Sequence, residues 1–394
     1  MQVSAQVLLS VGAILLIAIA ADWIGRNSFL PRVTLLMIFG IVIGEQGLGL
    51  IPMVIVEQFE SIAMIALLMV GFLIGGKLAD DSMDGQLIRA MTIGLVTVLA
   101  TFALVSLGLL LFGVEMEVAI ILGCIATATA PAATLDVISE SEFKGPFPGL
   151  LAAIVALDDA FGLILFSVVI AILAALTGNG ASASPVLETL RETGGAILLG
   201  LLIGLPAAFL TGRLRPGQPM LLEALGLVFI CGGLAIWLEV SYLIAAIVMG
   251  LVVGRLAKHH EYPFHEIEGV EWVFLIIFFT LAGATLSFEV LGAVGFLGIV
   301  YILLRFAGKV AGGWIGAFAG STDTPTRNWI GFAMLPQAGV AVGMALAAAI
   351  VFPQHRQTLL TVVIASTIFF ELVGPVFTRQ ALLRVQSARQ DGIK

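Results

Sequence analysis

Apolar residues form long blocks along this chain, and short charged or Gly/Pro-rich breaks separate them. A helix needs about 20 apolar residues to cross a bilayer, and most of the blocks approach or exceed that length. The pattern therefore predicts an all-α polytopic membrane protein with about thirteen transmembrane helices. Their approximate spans are 5–25, 30–50, 58–78, 87–113, 116–138, 147–177, 189–212, 219–238, 240–257, 267–287, 290–319, 327–351 and 357–383.

Composition supports a chain that lies in a lipid bilayer. Hydrophobic residues make up 60% and charged residues 11% of the 394 residues, whereas soluble domains carry about 25% charged residues. The chain has no basic, aromatic-rich patch of the kind that binds nucleic acid and no Walker-type phosphate loop. We therefore expect neither nucleic acid nor a nucleotide as a partner, and no cofactor.

The distribution of basic residues predicts how the chain is oriented. Lys and Arg accumulate on the cytoplasmic side of membrane proteins. With the N-terminus outside, fourteen of the 18 basic residues fall on inner loops or the tail, and only Arg191 and Arg356 fall outside. We therefore expect a cytoplasmic-membrane protein whose C-terminus is cytoplasmic. The remaining two basic residues, Arg305 and Lys309, lie within the eleventh predicted helix.

Glycine and proline patterns recur at an offset of about 210 residues. The sequence GIVIG at 40–44 matches GLVVG at 250–254, and LLMVGFLIG in the third helix matches FTLAGATLS in the tenth. Two copies of six helices separated by one linker helix would place the second copy upside down. Secondary transporters use such inverted repeats. The predicted divisions are a first repeat at 1–178, a linker helix at 179–215 and a second repeat at 216–394.

Pro131 and Pro336 mark two discontinuous helices that we expect to cross, at 116–138 and 327–351. Proline lacks a backbone N–H and displaces a carbonyl, so the freed backbone groups need a polar cavity. Half-helix ends at such breaks would direct carbonyls and dipoles towards a bound ion. Ordinary proline kinks are the alternative.

Two adjacent carboxylates, Asp158 and Asp159, lie inside the sixth predicted helix. An ionisable residue at mid-membrane costs about 2.5–3.5 kcal/mol on insertion scales, so a cavity, a cation or a counter-charge is expected nearby. Consecutive helical residues point about 100° apart, so one carboxylate would face the cavity and the other a neighbouring helix. Lys309, flanked by glycines, is the available counter-charge. A purely structural ion pair is the alternative.

Oxygen ligands for a monovalent cation are available beside these carboxylates. Na⁺ is a hard cation that prefers oxygen, as other hard cations do. The hydroxyls of Thr127 and Thr129 and the carbonyls freed around Pro131 could supply such ligands together with Asp158 and Asp159. Because burial favours the protonated carboxyl, a proton and Na⁺ would compete for the same oxygens.

Three further polar residues are accessory candidates. Arg305 lies four residues before Lys309 and so shares its helix face. Glu371 is the second repeat's counterpart of the aspartate pair at an offset of about 212 residues, and Gln337 follows Pro336 in the second interrupted helix. Structural roles are the alternative for all three.

These motifs together resemble the monovalent cation/proton antiporter superfamily, in particular its electrogenic bacterial sodium/proton branch. The motifs that carry the resemblance are ALDDAFGLILF at 156–166, TATAPAAT at 127–134, RFAGKVAGG at 305–313, IIFFTLAGATLSF at 276–288, GIVIG at 40–44 and LPQAGVAVG at 335–343.

The resemblance implies a homodimer that exchanges Na⁺, with Li⁺ as a further candidate, for H⁺. A fixed dimerisation domain and a core domain that moves like an elevator are implied as well. By the same resemblance, Asp159 would bind Na⁺ or H⁺, and Asp158 would bond Lys309 and release it when the cation binds. Some relatives carry a carboxylate beside the first interruption, which this chain lacks near Pro131, so the identity of the cation stays open.

Several other functions are alternatives to sodium/proton exchange. A K⁺/H⁺ antiporter or a sodium-coupled solute symporter could use the same inverted-repeat plan. An intramembrane aspartyl protease would need two aspartates on separate facing helices, and the chain contains no GxGD sequence. A passive channel would not need a buried lysine beside the acids. We therefore expect a transporter and not an enzyme.

Overall fold

The computed structural model describes residues 2–28, 30–45, 47–79, 86–141, 143, 145–176, 184–211, 220–257, 261–285 and 295–391. All regular secondary structure in these ranges is helical. The helices are α1 (Gln2–Asn27), α2 (Arg32–Ile43), α3 (Met53–Val56), α4 (Phe59–Leu78), α5 (Gln86–Leu111), α6 (Met116–Ile125), α7 (Pro131–Glu140), α8 (Pro146–Leu176), α9 (Ser184–Thr211), α10 (Met220–Trp237), α11 (Tyr242–Leu256), α12 (Glu261–Ala284), α13 (Gly295–Ala319), α14 (Thr324–Ala333), α15 (Gly339–Val351) and α16 (Arg356–Asp391).

Within the described ranges, eight helices are long and apolar enough to cross a membrane. Five shorter apolar helices accompany them, among them α2 and α6. The prediction of an all-helical, multi-span membrane protein is therefore confirmed. The count of thirteen crossings stays a prediction.

Three predicted helix ends differ from the structure by more than five residues. The sequence predicts a second helix that continues to residue 50, but α2 ends at Ile43, where the chain turns back and the Leu48 amide donates to the Val42 carbonyl at 2.8 Å. Conversely, α12 begins before residue 267 and α16 continues beyond residue 383. Hydropathy cannot locate these two ends, because polar turns extend each helix beyond its apolar block.

The chain forms two compact units, and each unit takes one segment from either half of the sequence. Unit 1 comprises Met1–Asp84 and Leu190–Leu286, and unit 2 comprises Gly85–Thr189 and Ser287–Lys394. The units and the predicted repeats are different divisions of the chain. The repeat boundaries themselves stay a prediction.

In unit 1, α2 packs on α12 and α4 packs on α11 at pairs of glycines. A methyl group on Gly40 would lie 2.0 Å from the Thr280 carbonyl oxygen, and one on Gly250 would lie 2.1 Å from that of Phe72. No β-carbon can lie so close to a carbonyl oxygen, so only glycine fits at these positions and the two helix backbones are in contact at both crossings. Both crossings join a helix from the first half of the chain to one from the second half, as two related repeats would.

In unit 2, α5 packs along α13, and an apolar core surrounds α6, α8 and α15. Ile121 and Ile125 of α6 are fully buried in this core with Phe352 and Leu359. The core includes Ala126 and Ala128 of the interrupted segment between α6 and α7, and Met334 and Leu335 of the segment between α14 and α15 are also fully buried. These segments position the polar groups described next.

Candidate functional site

Two interrupted helices contact each other in unit 2 at the predicted prolines. The first is open between Ile125 and Pro131, and the second between Ala333 and Gly339. The Ala130 amide donates to the Pro336 carbonyl at 2.9 Å. Pro131 is the first residue of α7, where a missing N–H costs no helical hydrogen bond. The two interruptions thus form one junction of non-helical backbone.

Arg305 links the two interrupted helices. Its side chain is fully buried, and its guanidinium donates to the Ala128 carbonyl at 2.7 Å and to the Leu335 carbonyl at 2.9 Å. These carbonyls follow the C-terminal ends of α6 and α14, where the helix dipole is negative. The fixed cation therefore offsets two converging negative dipole ends, while the Phe370 ring packs 4.2 Å from its guanidinium carbon.

One turn further along α13, Lys309 bonds Asp158. Both side chains are fully buried, and Lys309 Nζ lies 2.9 Å from Asp158 Oδ2. The ammonium also donates to Thr129 Oγ1 at 2.7 Å and to the Thr127 carbonyl, and Thr129 donates to Asp158 Oδ2. The structure therefore brings four of the predicted site residues together.

One oxygen of this buried carboxylate remains available. Asp158 Oδ1 is buried and has no hydrogen-bond partner among the described residues. A buried acceptor without a partner costs about 1–3 kcal/mol, and more when it is charged. Oδ1 therefore favours a proton or a cation as its partner.

Comparison with known proteins identifies the family at this point. Residues 11–383 match the family model described as sodium/hydrogen exchanger, transmembrane. The chain belongs to the sodium/hydrogen exchanger family. This confirms the predicted membership of the monovalent cation/proton antiporter superfamily and makes the chain an integral membrane transporter of cations and protons.

Two relatives align with most of this chain. The Na⁺/H⁺ antiporter of Enterococcus hirae is 24% identical over 386 residues, which cover 94% of this chain and 98% of the relative. The ammonium/H⁺ antiporter subunit AmhT of Alkalihalophilus pseudofirmus is 23% identical over 72% of this chain and 71% of its own.

Solved structures share the fold of this exchanger family member. The sodium proton antiporter MjNhaP1 from Methanocaldococcus jannaschii at pH 8 superposes with a TM-score of 0.72 at 18% identity, covering 96% of this chain and 100% of the other. An electron-microscopy structure of MjNhaP1 gives a TM-score of 0.76 at 18% identity, covering 96% and 97%.

The remaining predicted site residues, Asp159, Glu371 and Gln337, are not part of the described hydrogen bonds around Asp158 and Lys309. Asp159 belongs to α8, but its side chain lies outside the described part of the structure. Glu371 is half-buried in α16 beside Phe370, and the hydrogen bonds described for the Asp158–Lys309 group do not include it. Gln337 is fully buried at the junction and has a separate set of neighbours.

Sequence reasoning missed two buried residues on the helices that pack at this junction. Thr378 of α16 donates to the Ala333 carbonyl at the end of α14 at 3.0 Å. Tyr301 is fully buried on α13 four residues before Arg305. The spacing of four residues is a signal that could have identified Tyr301, because it places the residue on the same helix face. We find no sequence signal for Thr378.

The donor set of the site suits a hard monovalent cation or a proton. Within the described residues there is no cluster of three His, Cys, Asp or Glu side chains of the kind that holds a transition metal. What the junction offers instead is one carboxylate and neutral hydroxyl and carbonyl oxygens, the ligand type that hard cations prefer.

Proposed function

We propose that this chain exchanges Na⁺ for H⁺ across the cytoplasmic membrane, with Asp158 and Asp159 as the carboxylates that bind either ion. The observation that carries the proposal is the buried Asp158–Lys309 pair at the junction of two interrupted helices, with Asp158 Oδ1 unpartnered. Membership of the exchanger family supports it. Thr127 and Thr129 would contribute neutral oxygens.

Competition at one site provides the coupling. With Na⁺ absent, Lys309 neutralises Asp158 and a proton neutralises Asp159. Na⁺ entering the site would displace that proton and weaken the bond of Lys309 to Asp158, because the carboxylate then has a second cation. If the freed ammonium also loses its proton, more than one proton leaves per Na⁺, so net charge moves and the exchange is electrogenic.

Access to the two sides would alternate by movement of unit 2. All described contacts of Asp158, Arg305 and Lys309 lie within unit 2, so the site could move as a body without breaking them. We propose an elevator-type movement in a homodimer, with the N-terminus outside and the C-terminus in the cytoplasm.

Ammonium and potassium are the alternative cations. The relative AmhT is named as a subunit of an ammonium/H⁺ antiporter, and NH₄⁺ can donate hydrogen bonds to a carboxylate oxygen and to backbone carbonyls. Li⁺ as a further substrate, K⁺/H⁺ exchange and sodium-coupled solute symport on the same fold are the remaining candidates.

Purified protein in proteoliposomes containing a pH-sensitive dye tests the proposal. Na⁺, Li⁺, K⁺ and NH₄⁺ are added in separate experiments, and protein-free liposomes correct for permeation of NH₃. We expect Na⁺ to drive proton movement, with a membrane-potential dependence that reports net charge transfer. Proton movement with K⁺ or NH₄⁺ but not Na⁺ would replace the proposed substrate.

Asp159→Asn tests the site in the same assay. We expect it to abolish exchange while the protein stays folded, because the amide cannot carry the exchangeable proton. Asp323→Asn is the matched control, since Asp323 pairs with Arg389 in a partly exposed ion pair at 3.0 Å. Exchange near the wild-type rate in Asp159→Asn would remove Asp159 from the site.

A further inference from the structure

A second buried polar group lies on the other side of Arg305 from Lys309. Tyr301, Arg305 and Lys309 follow one another at intervals of four residues on α13, so they share one helix face. Each interval corresponds to about 6 Å along the helix axis. Tyr301 is therefore about 12 Å from Lys309 along this axis and has its own surroundings.

The neighbours of Tyr301 come from the second interruption and from α16. Its hydroxyl interacts with the side chains of Gln337 and Ser366, and all three residues are fully buried. These interactions do not reach hydrogen-bond geometry. Tyr301 Oη and both amide atoms of Gln337 have no hydrogen-bond partner in the described part of the chain.

Arg305, one helical turn after Tyr301 on α13, has one more unpartnered donor among the described residues. Its two terminal nitrogens hold the Ala128 and Leu335 carbonyls, but Nε is buried without a partner among the described residues. Four polar atoms from Tyr301, Gln337 and Arg305 thus lie buried and unpaired.

The described part of the chain forms no direct hydrogen bond among these four atoms. The Gln337 amide has two donor hydrogens and an acceptor, and Arg305 Nε is only a donor. One bond between Tyr301 and Gln337 would leave the other groups unpaired, at about 1–3 kcal/mol each. A water molecule both donates and accepts, and buried waters typically make about three hydrogen bonds to such groups.

We propose that Tyr301, Gln337 and Ser366 form an internal water site that also receives the Arg305 Nε hydrogen. The bound water completes the hydrogen bonding of Arg305 and so holds its guanidinium in the orientation that links Ala128 to Leu335. Tyr301 and Gln337 are positioning residues in this arrangement. The site is distinct from the proposed cation site at Asp158, and its existence does not depend on which cation is exchanged.

X-ray hydroxyl-radical footprinting tests this proposal, since radicals formed from a bound internal water oxidise the side chains that contact it. We expect oxidation of Tyr301 in the folded wild-type protein. Phe352 is the matched control, because it is an equally buried aromatic residue inside an apolar cluster. Labelling of Tyr301 as low as that of Phe352 would overturn the proposal.

Variants identify the ligands of the water. Gln337→Leu removes both polar atoms of the side-chain amide at similar volume and should lower Tyr301 oxidation several-fold. Gln354→Leu is the control, because Gln354 lies beside Glu117, and it should leave Tyr301 oxidation unchanged. Unchanged Tyr301 oxidation in a folded Gln337→Leu protein would remove Gln337 from the site. If that variant does not fold, the wild-type comparison of Tyr301 with Phe352 still decides.

Rapid mixing with ¹⁸O-labelled water separates bound water from bulk access. We expect Tyr301 to take up ¹⁸O more slowly than His265, whose side chain is 90% exposed. Equal uptake rates would mean that bulk solvent reaches Tyr301, and the proposed site would be wrong.

Discussion

Arg305 and Lys309 lie one helical turn apart on α13 and carry the same charge, yet only Lys309 bonds a carboxylate. Lys309 bonds Asp158 and two groups of the first interruption, whereas Arg305 holds two carbonyls of different interrupted helices. A planar guanidinium can donate in two fixed directions, which a single ammonium cannot reproduce. The charge of Arg305 alone is therefore insufficient for its role.

Arg305→Lys should accordingly destabilise the protein and reduce exchange although the charge is kept. We expect a loss of about 1–3 kcal/mol, because at least one buried carbonyl loses its donor. Thermal unfolding in detergent and exchange in proteoliposomes measure both effects. Arg327→Lys is the control, since Arg327 gives one described hydrogen bond, to the Thr322 carbonyl, and should change little. Equal effects of the two substitutions would contradict this assignment.

Asp158 and Lys309 should show strong energetic coupling. Removing one partner of a buried ion pair leaves the other charge uncompensated and costs about 3–5 kcal/mol. Asp158→Asn and Lys309→Met should each lower the unfolding temperature, and the double variant should be more stable than the less stable single variant. Additive losses in this double-mutant cycle would show that the 2.9 Å contact is not the dominant interaction of either residue.

For individual residues, the sequence predicted that buried charged side chains lie close together, but it predicted few of their other partners. Two acids and a lysine inside apolar helices are so costly that their proximity could be expected. The carbonyl partners of Arg305 and the neighbours of Tyr301 depend on how two interrupted helices meet, which local sequence does not encode. The role of Asp159 stays a prediction.

Among the helices, α16 holds the second interruption by close packing. A methyl group on Gly374 would lie 2.6 Å from Pro336 Cα, whereas one on Gly343 of α15 would meet nothing within 4 Å. Gly374→Ala should therefore cost about 1–3 kcal/mol through overpacking and should lower exchange by displacing Pro336. Gly343→Ala should stabilise by about 0.5–1 kcal/mol, since alanine favours the helix. Unfolding temperatures that shift in the same direction would contradict this packing argument.

The turn before α16 is linked to the start of α6 by a histidine. His355 Nε2 lies 2.7 Å from Glu117 Oε2, and its Nδ1 lies 3.7 Å from the largely exposed Glu115 carboxylate. The pairing with Glu117 is ionic only while the imidazole is protonated.

Glu117→Gln should lower the unfolding temperature, by about 0.5–1 kcal/mol in free energy, because the 2.7 Å contact with His355 loses its carboxylate. Glu115→Gln should have a smaller effect, because Glu115 is more distant and more exposed. Unfolding scans of both variants under the same buffer conditions provide the comparison. An equal or larger loss in Glu115→Gln would show that the contact with Glu117 is not the dominant one of His355.

Helices were easier to predict than their ends. Apolar length located each long helix, and proline located both interruptions. The early end of α2 depends on a chain reversal in which the Leu48 and Leu50 amides donate back to the Val42 and Ile43 carbonyls. The extension of α16 depends on polar residues that follow its apolar part. Neither feature changes the hydropathy pattern on which the prediction was based.

For the whole molecule, the described site residues all lie in one of the two compact units. Unit 2 contains the interrupted helices with the buried Asp158, Arg305 and Lys309, while unit 1 contains the backbone contacts at Gly40 and Gly250. The repeats predicted from the sequence, two consecutive halves joined by a linker helix, stay a prediction. The compact units are a different division, since each takes one segment from either half of the chain, and the sequence pattern alone did not predict it.

Hydrogen exchange measured with and without Na⁺ should therefore change in unit 2 alone. Residues 126–130 and 334–338 lie outside regular helix at the junction, so a cation bound to Asp158 should slow the exchange of their amides. Residues 47–50 of unit 1 are also irregular and serve as the internal control. Asp159→Asn should remove the effect, and choline should replace Na⁺ at equal ionic strength in the reference sample. Equal protection of both units, or protection that persists in Asp159→Asn, would mean that the cation binds elsewhere than at the junction of the interrupted helices.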